Sequence, residues 1–195
     1  MQGTFDFFDD QGNRPKNRER LFFCLMPDDE TRNRVSRIGD RLFSEKRLRG
    51  TRLKTERLHV SLQHVGDYKR LRTKLLYAAQ LAGKAVSARP FDIKFRFVQS
   101  FEPAPHKRDR QPLVLLGEGG DALSDLFRTL GIAMTQVGLK MTTEFNPHMT
   151  LSYGPQPVPI QAIEPVGFVV KDFVLIHSRL GLTRYEVIDR WPLAA

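Results

Sequence analysis

Two short segments of the chain carry the same arrangement of a histidine and a hydroxyl side chain. His59 is followed two residues later by Ser61, and His148 is followed two residues later by Thr150. Because alternate side chains of a β-strand share a face, each histidine would stand beside its hydroxyl, about 6.6 Å along the strand. An imidazole can accept or donate a proton near neutral pH, and a hydroxyl can donate a hydrogen bond to a phosphate oxygen. Together the two segments predict acid-base chemistry on a phosphoester, with a bell-shaped pH dependence.

The same alternation gives expectations for the neighbouring residues. Gln63 would share the face of Ser61. Tyr153 has the parity of Met149 and Leu151, so we expect it in the core, with stacking on a nucleobase as the alternative.

The remaining histidines serve as internal controls for this pattern. His64, His106 and His177 have no hydroxyl residue two positions later. A lone histidine on a strand is usually half-buried and bonded to a neighbouring carbonyl, without chemistry. The recurrence of the complete pattern favours catalysis over that interpretation.

The composition is that of a soluble globular protein. The 195 residues are 41% hydrophobic and 27% charged, enough for one sizeable core or two small lobes. There is no apolar run of the roughly 20 residues that span a bilayer, and the N-terminus lacks an export signal, so we expect a cytoplasmic protein. The single cysteine, Cys24, lies in an apolar run and is interpreted as core packing.

The formal charge of +9 favours a polyanionic partner. Many of the basic residues lie within 14–20 and 32–49, where a solvated helix face or tail would also explain them. Charge alone therefore leaves nucleic acid and a solvated surface as alternatives.

Hydrophobic periodicity predicts an alternation of strands and helices. Strands are expected at 21–26, 58–64, 91–97 and 113–116, at the second motif, within 167–176, and at 185–188; helices are expected at 30–46, 69–82 and 122–137, and a surface loop at 102–111. Residues 1–19 are expected to form a flexible arm, and 20–195 a single domain. The two halves have similar element order and one motif each, which suggests two lobes across a cleft. No Gly-rich loop follows the first strand, so a nucleotide-cofactor fold is not expected.

No metal or other cofactor is expected, because the sequence has no His-x-x-x-His or Cys-x-x-Cys cluster. Glu56 and Glu144 are the nearest acids upstream of the motifs. We interpret both as loop charges.

The chain resembles the two-histidine (2H) phosphoesterase superfamily, in particular its RNA 2′,3′-cyclic phosphodiesterase branch, also called the 2′-5′ RNA ligase family. The resemblance is carried by residues 56–62 and 146–151, the opening strand from Arg20, and the tail at 175–180 and 185–188. It implies an α+β, bilobal 2H phosphoesterase fold. Two pseudo-symmetric lobes with mainly antiparallel sheets would face a central cleft, with the helices outside. It also implies a reaction without metal that opens a cyclic phosphate to a 2′-phosphomonoester.

The resemblance also implies roles for the four motif residues. His59 would protonate the departing 3′ oxygen, His148 would activate water, and Ser61 and Thr150 would hold the phosphate. The first motif departs from the family pattern, since it has Ser61 where threonine is usual.

The second departure is Tyr153, at a position where cyclic phosphodiesterases of this branch often have arginine. A basic residue from elsewhere could replace it, and Lys54, Arg108 and Arg110 are the candidates. Tyr153 and Lys54 are therefore candidate substrate-binding residues.

The leading hypothesis is a hydrolase of RNA 2′,3′-cyclic phosphate ends, with reversible 2′-5′ ligation as a side activity. One alternative is another cyclic phosphate or a 2′-5′ linked oligonucleotide as substrate, and another is a non-catalytic RNA-binding protein. The expected partners are RNA ends or small cyclic nucleotides, with no membrane, and the expected state is a monomer.

Overall fold

Nine strands and three helices make up the described part of the chain. The structure is a computed structural model and describes residues 19–103, 109–179 and 184–194. The strands are β1 (Glu19–Leu25), β2 (Thr51–Arg52), β3 (Val60–Tyr68), β4 (Phe91–Ser100), β5 (Gln111–Glu118), β6 (His148–Gly154), β7 (Gln161–Val170), β8 (Asp172–Arg179) and β9 (Arg184–Pro192). The helices are α1 (Asp29–Glu45), α2 (Thr73–Lys84) and α3 (Gly120–Gln136), and a 3-10 turn spans Thr55–Arg57.

All pairs in the sheet are antiparallel, in the order β7, β4, β5, β6, β3, β1, β8, β9, with β2 added beside β6. The motif strands β3 and β6 are neighbours at its centre. The expected α+β class with mainly antiparallel strands is confirmed.

Alternation along β1 separates two apolar layers. Leu21, Phe23 and Leu25 belong to the main core, which the three helices cover. Phe22 and Cys24 lie on the opposite face, in a smaller cluster with residues of β8. Cys24 is fully buried there, and burial raises the pKa of its thiol, so it is a packing residue as expected.

Helix α1 begins at a capping residue, Asp28. The carboxylate of Asp28 accepts a hydrogen bond from the backbone N–H of Thr31 at 2.7 Å, and this satisfies a donor at the helix N-terminus. Val35, Ile38 and Leu42 then recur at helical spacing and are buried. The helix packs on β7, where the hydroxyl of Thr31 donates to the carbonyl of Gly167.

The two parts of the sheet do not correspond to the two halves of the chain. One part consists of β3, β1, β8 and β9, and the other of β6, β5, β4 and β7. The expectation that each half of the sequence forms one lobe is therefore wrong. The predicted element order was similar in the two halves, but β4 pairs forward with β5 and β7. Strand β8 returns to pair with β1, and β9 pairs with β8.

Several boundaries differ from those expected. The apolar run 167–176 is divided at Lys171 between β7 and β8, and the two-residue strand β2 has too little sequence for periodicity to detect. The expected arm lies outside the described residues up to position 18, and Glu19 begins β1; residues 104–108 of the expected loop also lie outside. No helix in the described ranges is long and apolar enough to cross a membrane.

A tryptophan packs directly on a glycine of α2. The ring of Trp191 stacks on Phe173 with centroids 5.2 Å apart, and a Cβ atom at Gly83 would come within 2.5 Å of it. We expect Gly83→Val to lower the free energy of unfolding by about 2 kcal/mol, because the added methyl groups overpack this contact.

Denaturant unfolding measures this change. Lys84→Val is the matched control, since it places the same β-branched residue at an exposed neighbouring position of the helix. Equal losses in the two variants would show that helix propensity, and not the Trp191 contact, causes the effect.

Candidate active site

The two motif strands meet at one pair of residues. Val60 of β3 faces Met149 of β6 in an antiparallel register, and both side chains are fully buried. Continued in that register, Ser61 comes beside His148, and His59 comes beside Thr150. Each histidine is thus brought next to the hydroxyl of the other motif.

All four motif side chains line one cavity that opens to solvent. Its walls are formed by residues of β1, β3, β6, β8 and β9 and of the segment before β3, namely Arg20, Phe22, Leu53, His59, Ser61, His148, Thr150, Tyr153, Ser178 and Tyr185. The structure therefore brings His59, Ser61, His148 and Thr150 together.

The two imidazoles are held in the same way. Nδ1 of His59 lies 2.7 Å from the carbonyl oxygen of Arg57, and Nδ1 of His148 lies 2.7 Å from that of Asn146. A carbonyl can only accept a hydrogen bond, so each Nδ1 carries a proton. In the neutral ring Nε2 is then free to accept a proton, and in the protonated ring it can donate one.

Burial shifts both histidines toward the neutral form. The pKa of His59 is lowered to about 4, mainly by burial, and the positive charge of protonated His148 acts in the same direction. Burial likewise lowers the pKa of His148. Both rings are therefore neutral near pH 7 when the cavity holds no anion.

Aromatic rings fix the positions of both imidazoles. Phe22 and Tyr185 pack on His59 with centroids 5.2 and 5.5 Å away, and Phe101 packs edge-on against His148 at 5.0 Å. These contacts leave each ring little freedom to turn away from the cavity.

Sequence reasoning did not single out Arg20 and Tyr185, which line the cavity, or Arg57, which contacts Tyr185. Arg20 is buried, and its Nε and Nη2 each donate to the carboxylate of Asp67 at 2.6 Å. The guanidinium of Arg57 lies 4.5 Å from the ring of Tyr185 and donates to its hydroxyl at 3.3 Å. Arg20 has the parity of Phe22 on β1, so strand alternation could have placed it on the cavity face.

Tyr153 also faces the cavity, so the expectation that it lies in the core is wrong. A bulge in β6 is the reason. Thr150 pairs with Val114 and Tyr153 pairs with Pro112, while Leu151 has no partner in that register. Because Val114 and Pro112 share a face of β5, Thr150 and Tyr153 share one too. Burial raises the pKa of Tyr153, which keeps its hydroxyl protonated as a donor.

A second bulge moves Gln63 off the face of Ser61. Phe22 pairs with His64 and Cys24 pairs with Ser61, so β3 carries one more residue than β1 over this stretch. Gln63 is fully buried and bonds toward α3. Its amide nitrogen donates to the carbonyl oxygens of Phe127 and Thr142 at 3.1 and 3.2 Å, and its oxygen accepts from the N–H of Thr142 at 2.8 Å.

The other candidates lie elsewhere. Lys54 and Glu56 are exposed around the 3-10 turn and are not among the lining residues of the cavity, and Arg108 lies outside the described residues. Arg110 places its guanidinium carbon 5.6 Å from the centroid of the Tyr153 ring. Of the three basic residues considered, Arg110 is thus the one that the structure brings against a residue of the cavity.

No metal site is apparent in the described part of the chain. Within 19–103, 109–179 and 184–194, no three residues of the types His, Cys, Asp and Glu are grouped so that they could hold a metal ion. The chemistry of the cavity is carried by imidazole, hydroxyl and guanidinium groups.

Comparison with known proteins connects this geometry to a family. The model of the family described as the 2′-5′ RNA ligase superfamily matches residues 27–182. No curated protein sequence matches the chain significantly. The family match supports the resemblance that the motifs carry in the sequence.

Solved structures share the fold. E. coli LigT in apo form has a TM-score of 0.69 and 20% identity over 92% of this chain and 99% of LigT. LigT complexed with 3′-AMP has a TM-score of 0.67 and 21% identity over 92% and 99%. TT0787 of Thermus thermophilus has a TM-score of 0.69 and 19% identity over 89% and 97%. At these identities the likeness establishes the fold.

The buried amide of Gln63 supports the segment that leads to His148. We expect Gln63→Leu to lower the free energy of unfolding by about 2 kcal/mol, because it leaves buried backbone groups of Thr142 without their partner. Chemical denaturation measures the loss. Gln136→Leu, at the exposed end of α3, is the matched control and should change stability little. A similar small effect at both positions would contradict this role of Gln63.

Proposed function

The chain belongs to the 2′-5′ RNA ligase superfamily, a group of 2H phosphoesterases, and we propose that it hydrolyses 2′,3′-cyclic phosphates at RNA ends to 2′-phosphomonoesters. The observation that carries the proposal is that two imidazoles, oriented alike by carbonyls, face one cavity with a hydroxyl beside each. An acid, a base and phosphate donors are what such a hydrolysis requires.

The proposed reaction divides proton transfer between the two rings. Nε2 of neutral His148 accepts a proton from water as the water oxygen attacks phosphorus. Nε2 of protonated His59 donates a proton to the 3′ oxygen as its bond to phosphorus breaks. The product is a 2′-phosphomonoester with a free 3′-hydroxyl, and the protons balance because one ring gains what the other loses.

Ser61 and Thr150 would hold the phosphate between the rings. Both hydroxyls line the cavity and can donate to the non-bridging oxygens, on which negative charge grows in the transition state. The Tyr153 hydroxyl shares their face of the sheet and would add a third neutral donor. This would replace in part the arginine expected at that position.

The two buried imidazoles would become an acid-base pair when the substrate binds. With both pKa values lowered, neither ring is charged at pH 7 in the free protein. A bound phosphate anion favours the charged form of an adjacent imidazole and would restore one proton. A positive charge on one ring lowers the pKa of the other, so one proton is taken up and not two. The proposed roles require the bound phosphate to place that proton on His59.

The direct test uses a short RNA that ends in a 2′,3′-cyclic phosphate, incubated with the protein and a chelator. The proposal expects conversion to a 2′-phosphate end, identified by its resistance to a 3′-specific phosphatase. A 3′,5′-cyclic nucleotide and a 2′-5′ linked dinucleotide are run in parallel, since turnover of either alone would assign a different substrate to the same site. Unchanged substrate with folded protein would contradict catalysis and leave RNA binding.

We expect His59→Ala and His148→Ala each to lower kcat by about 10²- to 10⁴-fold, because each removes a proton-transfer group. Stopped assays on the cyclic phosphate measure the loss. His177→Gln is the matched control, since His177 lies beside Glu19 and Glu186 and outside the residues that line the cavity. An activity loss in this control as large as in the motif variants would indicate a folding defect.

We expect the optimum of kcat/KM to lie below pH 6.5, the ordinary pKa of histidine. This ratio reports the free protein, in which a ring of lowered pKa loses its proton at lower pH, so the alkaline limb moves to lower pH. The alkaline limb of kcat should lie at higher pH, because bound phosphate raises the pKa of the ring that donates. Profiles of both parameters from pH 4 to pH 9 test this, and coincident alkaline limbs would refute it.

A further inference from the structure

A second cavity, also open to solvent, adjoins the first. It is lined by Phe22, Ser61, Leu62, Gln63, His64, Glu144, Phe145, Asn146 and His148. Phe22, Ser61 and His148 line both cavities. A phosphate held between the motifs would therefore lie at the boundary, and the nucleoside that carries it would extend to one side.

The outer wall of this second cavity has no regular secondary structure, but several contacts hold it in position. The ring of Phe145 stacks on Phe127 of α3, with centroids 4.2 Å apart and planes 8° from parallel. Gln63 bonds both the N–H and the carbonyl of Thr142, and the carbonyl of Asn146 orients His148. These contacts fix the position of the wall, as expected of a largely pre-formed binding site.

The polar groups of the second cavity differ in charge from those of the first. Of the described residues that line the two cavities, Glu144 is the one carboxylate. A carboxylate repels a phosphate, so its useful contact is with a part of the ligand that presents N–H donors. A nucleobase lies one ribose away from the phosphate, and its apolar faces suit Phe22 and Phe145.

Guanine is the base that matches a carboxylate here. Its N1–H and its 2-amino group are adjacent donors, and a carboxylate can accept both at once. Adenine and cytosine present an amino group beside a ring acceptor, and uracil presents one N–H between two acceptors. Asn146, two residues after Glu144, lines the same cavity and carries an amide that can donate to the guanine O6.

We propose that the second cavity binds the base of the nucleotide whose phosphate lies between His59 and His148, and that Glu144 selects guanine there. This inference rests on the proposed function for the position of the phosphate. On this inference, the natural substrates are RNA ends that terminate in guanosine.

The test measures binding of the four 2′-mononucleotides, the products of the proposed reaction, to the intact protein by calorimetry. We expect 2′-GMP to bind about tenfold more tightly than 2′-AMP, 2′-CMP or 2′-UMP, as loss of a charge-assisted pair implies. Inorganic phosphate, measured in parallel, reports the phosphate site alone. Equal affinities for the four nucleotides would overturn the inference.

Glu144→Gln tests the residue itself. Removal of a negative charge strengthens the binding of every phosphate, so the quantity that decides is the ratio of 2′-GMP to 2′-AMP affinity, in which this common effect cancels. We expect the ratio to fall from about ten to near one, because one amide cannot accept both donors of guanine. Glu56→Gln, an exposed acid outside both cavities, is the matched control and should leave the ratio unchanged.

The outcomes separate this inference from the proposed function. Turnover of cyclic phosphates with no guanine preference, or a ratio unaffected by Glu144→Gln, refutes the base site and leaves the catalytic proposal standing. Guanine-selective binding without turnover of any cyclic phosphate refutes the catalytic proposal and supports the base site. If neither 2′-GMP nor inorganic phosphate binds and no cyclic phosphate is turned over, both are wrong.

Discussion

The facing pair of Val60 and Met149 is the contact on which the active cavity depends. It joins the two four-stranded parts of the sheet, and both side chains are buried in the core. Antiparallel pairing about one point is two-fold symmetric, so equivalent motifs on the two strands meet with each histidine next to the hydroxyl of the other motif. A slip of one residue would turn the motif side chains of one strand to the wrong face.

Strand alternation predicted that each motif histidine shares a face with the hydroxyl two residues later, and the family resemblance implied that the two motifs meet at one cleft. Alternation failed where the strands carry bulges. Gln63 and Tyr153 follow Ser61 and Thr150 by two and three residues, and a bulge lies between in each case. An extra residue changes the parity of everything after it, and nothing in composition marks it. The pairing of strands from different halves of the chain could not be predicted either, because periodicity identifies β4 as a strand without specifying its partners.

A histidine bonded to a carbonyl was the inert alternative for each motif, and the structure shows that the bond exists at both. The carbonyls of Arg57 and Asn146 fix Nδ1 as the protonated nitrogen and direct Nε2 to the cavity. A carboxylate in the same place would do this too, but its charge would hold the ring protonated. The neutral carbonyl orients each ring and leaves its charge to be set by burial and by the substrate.

The strong positive charge of the chain is not concentrated in the cavity. Arg20 is the cation among its lining residues other than histidine, and Asp67 pairs with it through two hydrogen bonds. In the proposed reaction, much of the attraction for the phosphate would then come from a proton taken up by one imidazole. Phosphate binding and protonation are consequently linked, since each favours the other. In the proposed reaction, the formal charge of +9 would draw an RNA end toward the protein, and the proton on the motif would hold the phosphate in place.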